Sequence, residues 1–287
     1  MVILNVGTYP PKQCGIASFS KDLRDNLIEC GVEVPVVAVS DPEYSYSYPP
    51  EVLYEIRQHE KSDYISTAKA ISESPEIDLV IIQHEYGIFG GTDGEYILSF
   101  VSRLKKPYIL VAHTILPRPS ISQFLILQKL AQKAAKVICM TKSSARLLEN
   151  VYEVPPKKIY IIYHGVPLFK PKNREQLKEK YGCSGRQVIS TFGLIGPGKG
   201  LENGIRAIKY LVERYPNILY IIAGKTHPML LKREGESYRQ MLERMVAELG
   251  LEENVRFVNK FLDIEELGEY LYMTDIYLSP YPNRDQA

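Results

Sequence analysis

The residues best suited to chemistry lie in one glycine-rich stretch, Gly193-Leu-Ile-Gly196-Pro197-Gly198-Lys199-Gly200. It follows an apolar, β-branched run over 187–192 and precedes a helix-like pattern that opens at Leu201. A strand-to-helix turn of glycines carrying one lysine suits an anion, most often a phosphate. Glycine lets the backbone approach the ligand and take φ > 0. The free N–H groups of a helix start point at the anion, and the helix dipole adds roughly 0.3–1 kcal/mol. The lysine supplies a mobile full charge. Gly198 and Lys199 are therefore the first phosphate-binding candidates. The spacing nearly matches a Walker A loop, but the residue that should be Ser or Thr, the magnesium ligand, is Gly200. The glycine order is also not that of the dinucleotide fingerprint. A tight turn with an exposed lysine is the alternative.

Other candidates also stand at the ends of apolar runs. Lys225-Thr226-His227 follows 218–223 and could join a phosphate site; a capped loop with Pro228 opening a helix is the alternative. His84-Glu85-Tyr86 follows 79–83, and His113 follows 108–112. Two histidines at matching strand ends favour a site over packing alone, and neither has a partner at metal-ligand spacing. The loop from Thr8 to Ala17 centres on Gly15, which a backbone pressed against a ligand would need; a proline-bearing flexible loop would look the same. Tyr44, Tyr46 and Tyr48 could stack on a sugar or simply pack their loop. Lys129, Lys133 and Lys136 on a helix over 122–136 could meet a membrane surface, although a solvated face of a core helix fits them better.

These candidates need a scaffold that delivers strand ends to one edge. Short apolar runs over 2–6, 34–39, 53–56, 79–83, 108–112, 137–140 and 159–163 alternate with helical patterns over 17–30, 63–72, 94–104, 122–134 and 142–149. Gly31 stands where a left-handed helix cap is expected. After a link over 168–173 the alternation restarts. Helices are expected over 174–181, 201–214, 238–249 and 264–273, and strands over 188–192, 218–223, 255–258 and 276–278. Near-continuous apolar strands separated by helices indicate parallel sheets covered on both faces. The expectation is an α/β chain of two domains, 1–168 and 169–287, with ligands beyond the carboxyl ends of the strands and a site in the cleft between the domains. The second domain shows only about four strands where a doubly wound half usually has five or six.

Bulk properties narrow the partners. The chain has 287 residues and a net charge of +1, so no global field favours nucleic acid or an anionic membrane, and any anion site is local. Four widely spaced cysteines suggest reduced thiols and a cytoplasmic location. The first residues lack the basic start and apolar core of a signal peptide, and no apolar run approaches membrane-spanning length.

Taken in order, several segments resemble the retaining glycosyltransferases of the GT-B fold, family four (group 1) class. They are Pro10-Pro-Lys-Gln-Cys-Gly-Ile-Ala-Ser-Phe, Gln83-His-Glu-Tyr-Gly, Ala112-His-Thr, His164-Gly-Val-Pro, Phe192-Gly-Leu-Ile-Gly-Pro-Gly-Lys-Gly-Leu-Glu, Ala223-Gly-Lys-Thr-His-Pro and Asp275-Ile-Tyr-Leu-Ser-Pro-Tyr. The resemblance runs along the whole chain. It implies two Rossmann-like domains facing across a cleft: an acceptor-side first domain and a second, here incomplete, that holds a nucleotide-diphosphate sugar. Lys199 matches the lysine on the donor diphosphate, Gly15 the loop glycine near the phosphate, and His113 a histidine beside the transferred sugar. His84, Glu85 and Tyr86 would line the acceptor side, for a carbohydrate or lipid-linked acceptor. No metal or other cofactor is implied, which agrees with Gly200. The chain departs from the family at Leu194, where many members carry an arginine that Lys225 could replace, and it ends before the family's Glu-x7-Glu motif. A P-loop-like nucleotide-binding protein and a catalytically incomplete sugar-nucleotide-binding module are the alternatives.

Overall fold

A computed structural model describes residues 1–42, 44–226 and 228–282, with only the backbone at 228 and 229. It divides into two compact units, Met1–Gly165 and Val166–Ala287, each with its own sheet and core.

The first unit contains β1 (Ile3–Gly7), β2 (Val36–Ser40), β3 (Val52–Arg57), β4 (Leu79–His84), β5 (Tyr108–Ala112), β6 (Lys136–Cys139) and β7 (Ile159–Ile161). The intervening helices are α1 (Gly15–Glu29), α2 (Lys61–Glu73), α3 (Tyr96–Arg103), α4 (Ile121–Lys133) and α5 (Lys142–Asn150). The strands form one parallel seven-stranded sheet in the order β3-β2-β1-β4-β5-β6-β7. The direction of winding reverses between β1 and β4. Open α/β sheets bind ligands outside the carboxyl ends of strands at such a switch.

The second unit repeats the plan on a smaller scale. Its strands are β8 (Gln187–Phe192), β9 (Ile218–Ala223), β10 (Val255–Val258) and β11 (Ile276–Tyr277). Its helices are α6 (Arg174–Lys180), α7 (Leu201–Val212), α8 (Pro228–Glu234), α9 (Ser237–Glu248) and α10 (Ile264–Met273). The parallel order β10-β9-β8-β11 puts the switch at β8 and β11. Helices cover both faces of the sheet. On β9, Ile218, Tyr220 and Ile222 enter a core with Leu201, Ile205 and Leu242, while Leu219, Ile221 and Ala223 enter another with Leu177, Tyr270 and Met273. Successive residues point to opposite faces, and both faces are apolar, which is why the strand reads as a continuous apolar run.

Two elements differ from expectation in ways that matter for the site. Helix α1 starts at Gly15, not at Ala17, because the Cys14 Sγ accepts the Ala17 N–H at 3.4 Å as the N-cap. Gly15 is thereby moved from the loop into the first turn of a helix. The expected helix over 94–104 begins late. Gly91, Asp93 and Gly94 have φ of 83°, 53° and 83°, a left-handed run that ends in a short 3-10 turn before α3. Gly31 takes the expected left-handed cap, with φ of 77°. Among the described residues no helix is long and apolar enough to cross a membrane.

Candidate active site

The Gly193–Gly200 turn joins β8 to α7 at the switch point of the second sheet. Gly193 has φ of 116°, and a side chain there would lie 3.5 Å from the Lys199 amino group. Pro197–Lys199 forms one 3-10 turn, and Gly200 caps α7 in the left-handed region with φ of 62°. A Cβ at Gly200 would sit 2.3 Å from the Pro280 carbonyl oxygen and 3.1 Å from Pro282. This explains the departure from a Walker A loop: the position that would carry the magnesium-binding hydroxyl has neither the backbone conformation nor the space for a side chain. The Lys199 ammonium donates to the Tyr281 hydroxyl at 2.5 Å and lies 4.8 Å from the centre of its ring. Gly198 is exposed at the mouth of the turn.

The turn is braced by its neighbour. Gly193 N–H donates to the Ala223 carbonyl at 3.0 Å, and Ile195 N–H to the Lys225 carbonyl at 2.7 Å. Gly224, with φ of 155°, lies so close that an added Cβ would fall 1.9 Å from the Gly193 carbonyl oxygen. Lys225 is exposed beside this junction. Thr226 is buried and donates its hydroxyl to Glu236; Pro228 does open a helix, α8. His227 lies outside the described residues. Arg239, on α9, is buried and was not anticipated from the sequence. It donates to the Gly224 carbonyl at 2.9 Å, to Thr226 at 3.4 Å, to Glu236 at 3.1 Å and to Asn259. The Thr226 hydroxyl and Arg239 hold the Glu236 carboxyl below its ordinary range. No local pattern marks Arg239, because all of its partners but Glu236 are distant in sequence.

At the carboxyl edge of the first sheet, Gly15 is exposed, and none of the described residues lies within 4 Å of where its Cβ would be. Neither backbone strain nor internal packing calls for glycine there. His113 and His84, both at strand ends, have different surroundings. His84 is fully buried, edge-to-face with Tyr86, and among the described residues neither ring nitrogen has a hydrogen-bond partner. Burial, then the neighbouring His113, lowers its pKa to about 3. Tyr86 is also buried and donates to the Gln123 carbonyl at 3.2 Å. Of the three residues grouped as acceptor-side, only Glu85 keeps exposed surface; it accepts the Thr114 hydroxyl. His113 is half-buried, bonded through Nε2 to Gln83 Oε1 at 2.9 Å and edge-to-face with Phe19 at 4.8 Å. Burial, then His164, lowers its pKa to about 4. Both imidazoles are neutral near pH 7.

Two further candidates resolve into packing. The Tyr46 hydroxyl donates to Asp41 at 2.9 Å, Tyr48 bonds Ser40 at 2.8 Å, and the 44–46–48 rings lie against one another. Helix α4 buries Ile126, Leu127, Leu130 and Ala131 and leaves Lys129 and Lys133 exposed, while Lys136 is engaged by Tyr160 at 2.8 Å.

Comparison with known proteins agrees with this architecture. The chain is 31% identical over 114 residues to a GDP-mannose-dependent alpha-(1-6)-phosphatidylinositol monomannoside mannosyltransferase of Mycolicibacterium smegmatis; the match covers 40% of this chain and 27% of that enzyme. It is 24% identical over 296 residues to an uncharacterized glycosyltransferase of Methanocaldococcus jannaschii, covering 95% of this chain and 72% of that one. The chain thus spans about a quarter of the mycobacterial relative that it matches. Among solved structures, Anabaena HepE in complex with UDP superposes with a TM-score of 0.72 at 19% identity, over 99% of this chain and 75% of that one. Sucrose-phosphate synthase from Thermosynechococcus elongatus does so with a TM-score of 0.75 at 16% identity, over 98% and 75%. The shared fold is GT-B, two Rossmann-like units. Residues 173–282 match the model of Glycosyl transferases group 1. Residues 14–169, more than half of the chain, match that of Glycosyltransferase Family 4, and the chain belongs to this family.

Proposed function

We propose that the protein transfers a sugar from a nucleotide-diphosphate sugar to a carbohydrate or lipid-linked acceptor, with retention at the anomeric carbon. The observation that carries this reading is the β8–α7 turn: an amino group, a helix N-terminus and left-handed glycines converge at the switch point of the second sheet, with no place for a magnesium-binding hydroxyl. Such a turn suits a diphosphate whose charge is offset by lysine and backbone amides without a metal. A relative named as GDP-mannose-dependent and a fold neighbour bound to UDP support a nucleotide-sugar donor.

In this reading the bond between the sugar and the diphosphate lengthens as negative charge grows on the leaving oxygens. Lys199 leaves Tyr281 for those oxygens and stabilises the charge as it develops, which is where binding accelerates a reaction. Lys225 adds a second cation at the neighbouring strand end. Gly198 and the first amides of α7 complete the phosphate contacts, and Gly15 lets the start of α1 come close to the donor. His113, neutral, orients the transferred sugar by hydrogen bonding, and Glu85 faces the acceptor.

A melting screen of UDP-, GDP- and ADP-sugars tests the donor site. One nucleotide class is expected to raise the midpoint, and Lys199→Ala to abolish the rise and cut turnover by about 100-fold or more with the fold intact. Normal turnover in Lys199→Ala would refute the role given to the lysine.

A further inference from the structure

The first sheet carries a polar line across its switch point. Register pairs Asn5 on β1 with Ile81 on β4, and Gln83 on β4 with Val111 on β5. Gln83 is therefore two residues beyond the partner of Asn5, and His113 two beyond the partner of Gln83. Residues offset by two share a sheet face and lie within reach of long side chains. The bonds follow this diagonal. Gln83 Nε2 donates to Asn5 Oδ1 at 2.8 Å, and Gln83 Oε1 meets His113 Nε2 at 2.9 Å. Asn5 and Gln83 are 1% and 0% exposed. These are buried amides, and an unpaired buried polar group costs about 1–3 kcal/mol; among the described residues Asn5 Nδ2 has no partner, so the Gln83 bond is the one that satisfies the Asn5 side chain.

Gly7 supports the same interpretation. A Cβ at Gly7 would lie 2.9 Å from Gln83 Cβ. The glycine is not in the left-handed region, so what it provides is room for the glutamine. Phe19, from α1, closes the other side by meeting the imidazoles of His113 and His164 edge-on, at 4.8 and 5.6 Å. Among the described residues, the titratable groups coupled to His113 are His84 at the end of β4 and His164 beyond β7, both imidazoles.

We propose that Asn5 and Gln83 are positioning residues for His113, a hydrogen-bonded diagonal over β1, β4 and β5 that fixes the rotation of its imidazole at the carboxyl edge of the sheet. Gly7 clears the space that the diagonal occupies. The inference rests on His113 serving the donor sugar as described above, and it goes further by assigning which buried groups hold the ring in place. Either direction of the amide bonds gives the same result, since flipping both amides exchanges donor and acceptor along the line without breaking it.

Proton–carbon NMR of the histidine rings in the whole chain tests this without substrate. The His113 signal is assigned by its loss in His113→Asn. In the native protein it is expected to stay flat from pH 8 to 5.5 and to show cross-relaxation to the Phe19 ring. Gln83→Glu, nearly isosteric, places a carboxylate on the ring nitrogen and is expected to move the His113 midpoint up by more than one pH unit. Gln83→Met fills the volume but makes no bond, so the Phe19 contact should weaken and the ring signal broaden. An unmoved midpoint in Gln83→Glu would overturn the proposal, as would an ordinary histidine titration in the native protein. If Gln83→Met does not fold, Gln83→Glu and the native titration still decide. The nucleotide melting screen is independent, so failure of the glycosyltransferase reading and failure of the diagonal give different results.

Discussion

At the level of single residues, the two strand-end histidines show how one motif type can hold two roles. His84 is fully buried with both ring nitrogens unpartnered among the described residues, and its pKa is lowered to about 3. An unfolded histidine titrates near 6.5. Above that pH both states are neutral and the group adds no pH dependence to stability. Below it the unfolded chain takes up a proton that the folded chain refuses, so stability falls as pH falls, until about pH 3 for His84. The slope is about 1.4 kcal/mol per pH unit for each such group. His113, lowered to about 4, adds to the slope over the upper part of this window. Because the His84 nitrogens make no hydrogen bond to any described residue, His84→Leu loses none of these bonds and should not destabilise the chain at pH 7. At pH 5 it should be more stable than the native protein by about 1–2 kcal/mol. Denaturant unfolding at both pH values checks this. A variant less stable at pH 5, or one with an unchanged pH slope, would contradict the neutral buried imidazole.

At the level of elements, the β8–α7 turn depends on the β9–α8 turn beside it. Gly224 has φ of 155° and meets the Gly193 carbonyl where a Cβ would stand. Arg239 clamps the Gly224 carbonyl from behind. Gly224→Ala should therefore cost about 2–4 kcal/mol through backbone strain and overpacking. It should also weaken nucleotide-sugar binding, because Gly193 and then Lys199 are displaced. Urea unfolding and the melting screen measure the two effects, and a variant of native stability would show that the two turns are not coupled. Much of this scaffold was legible in the sequence. The strand at 255–258 and the helix at 264–273 fall where their patterns place them, since apolar periodicity and helix breakers are local signals. The clamp was not legible. Arg239 looks like any helix arginine until Gly224, Thr226, Glu236 and Asn259 surround it, and Thr226 looks like a ligand contact until its hydroxyl is seen to be used by Glu236. The same limit separates His84 from His113: both end strands, and only tertiary packing buries one while leaving the other half-exposed.

At the level of the whole molecule, the two units have separate sheets and separate cores, so each contains the apolar burial it needs to unfold as a cooperative body. The proposed diphosphate contacts, Lys199, Lys225 and the α7 amides, all belong to the second unit. A ligand that binds only the folded form stabilises it by RT ln(1 + [L]/Kd), about 2.7 kcal/mol at a hundredfold excess over Kd. Calorimetry should therefore resolve two transitions. A saturating nucleotide diphosphate should raise the one that belongs to the unit from Val166 onward by several degrees, and Lys199→Ala should remove that rise. The assignment of transitions can be made internally: Gly224→Ala should lower the same transition that the nucleotide raises, while His84→Leu should alter the pH response of the other. If the nucleotide instead raises the transition sensitive to His84→Leu, the anion site lies in the first unit, and the phosphate-binding role moves from the β8–α7 turn to the start of α1 at Gly15.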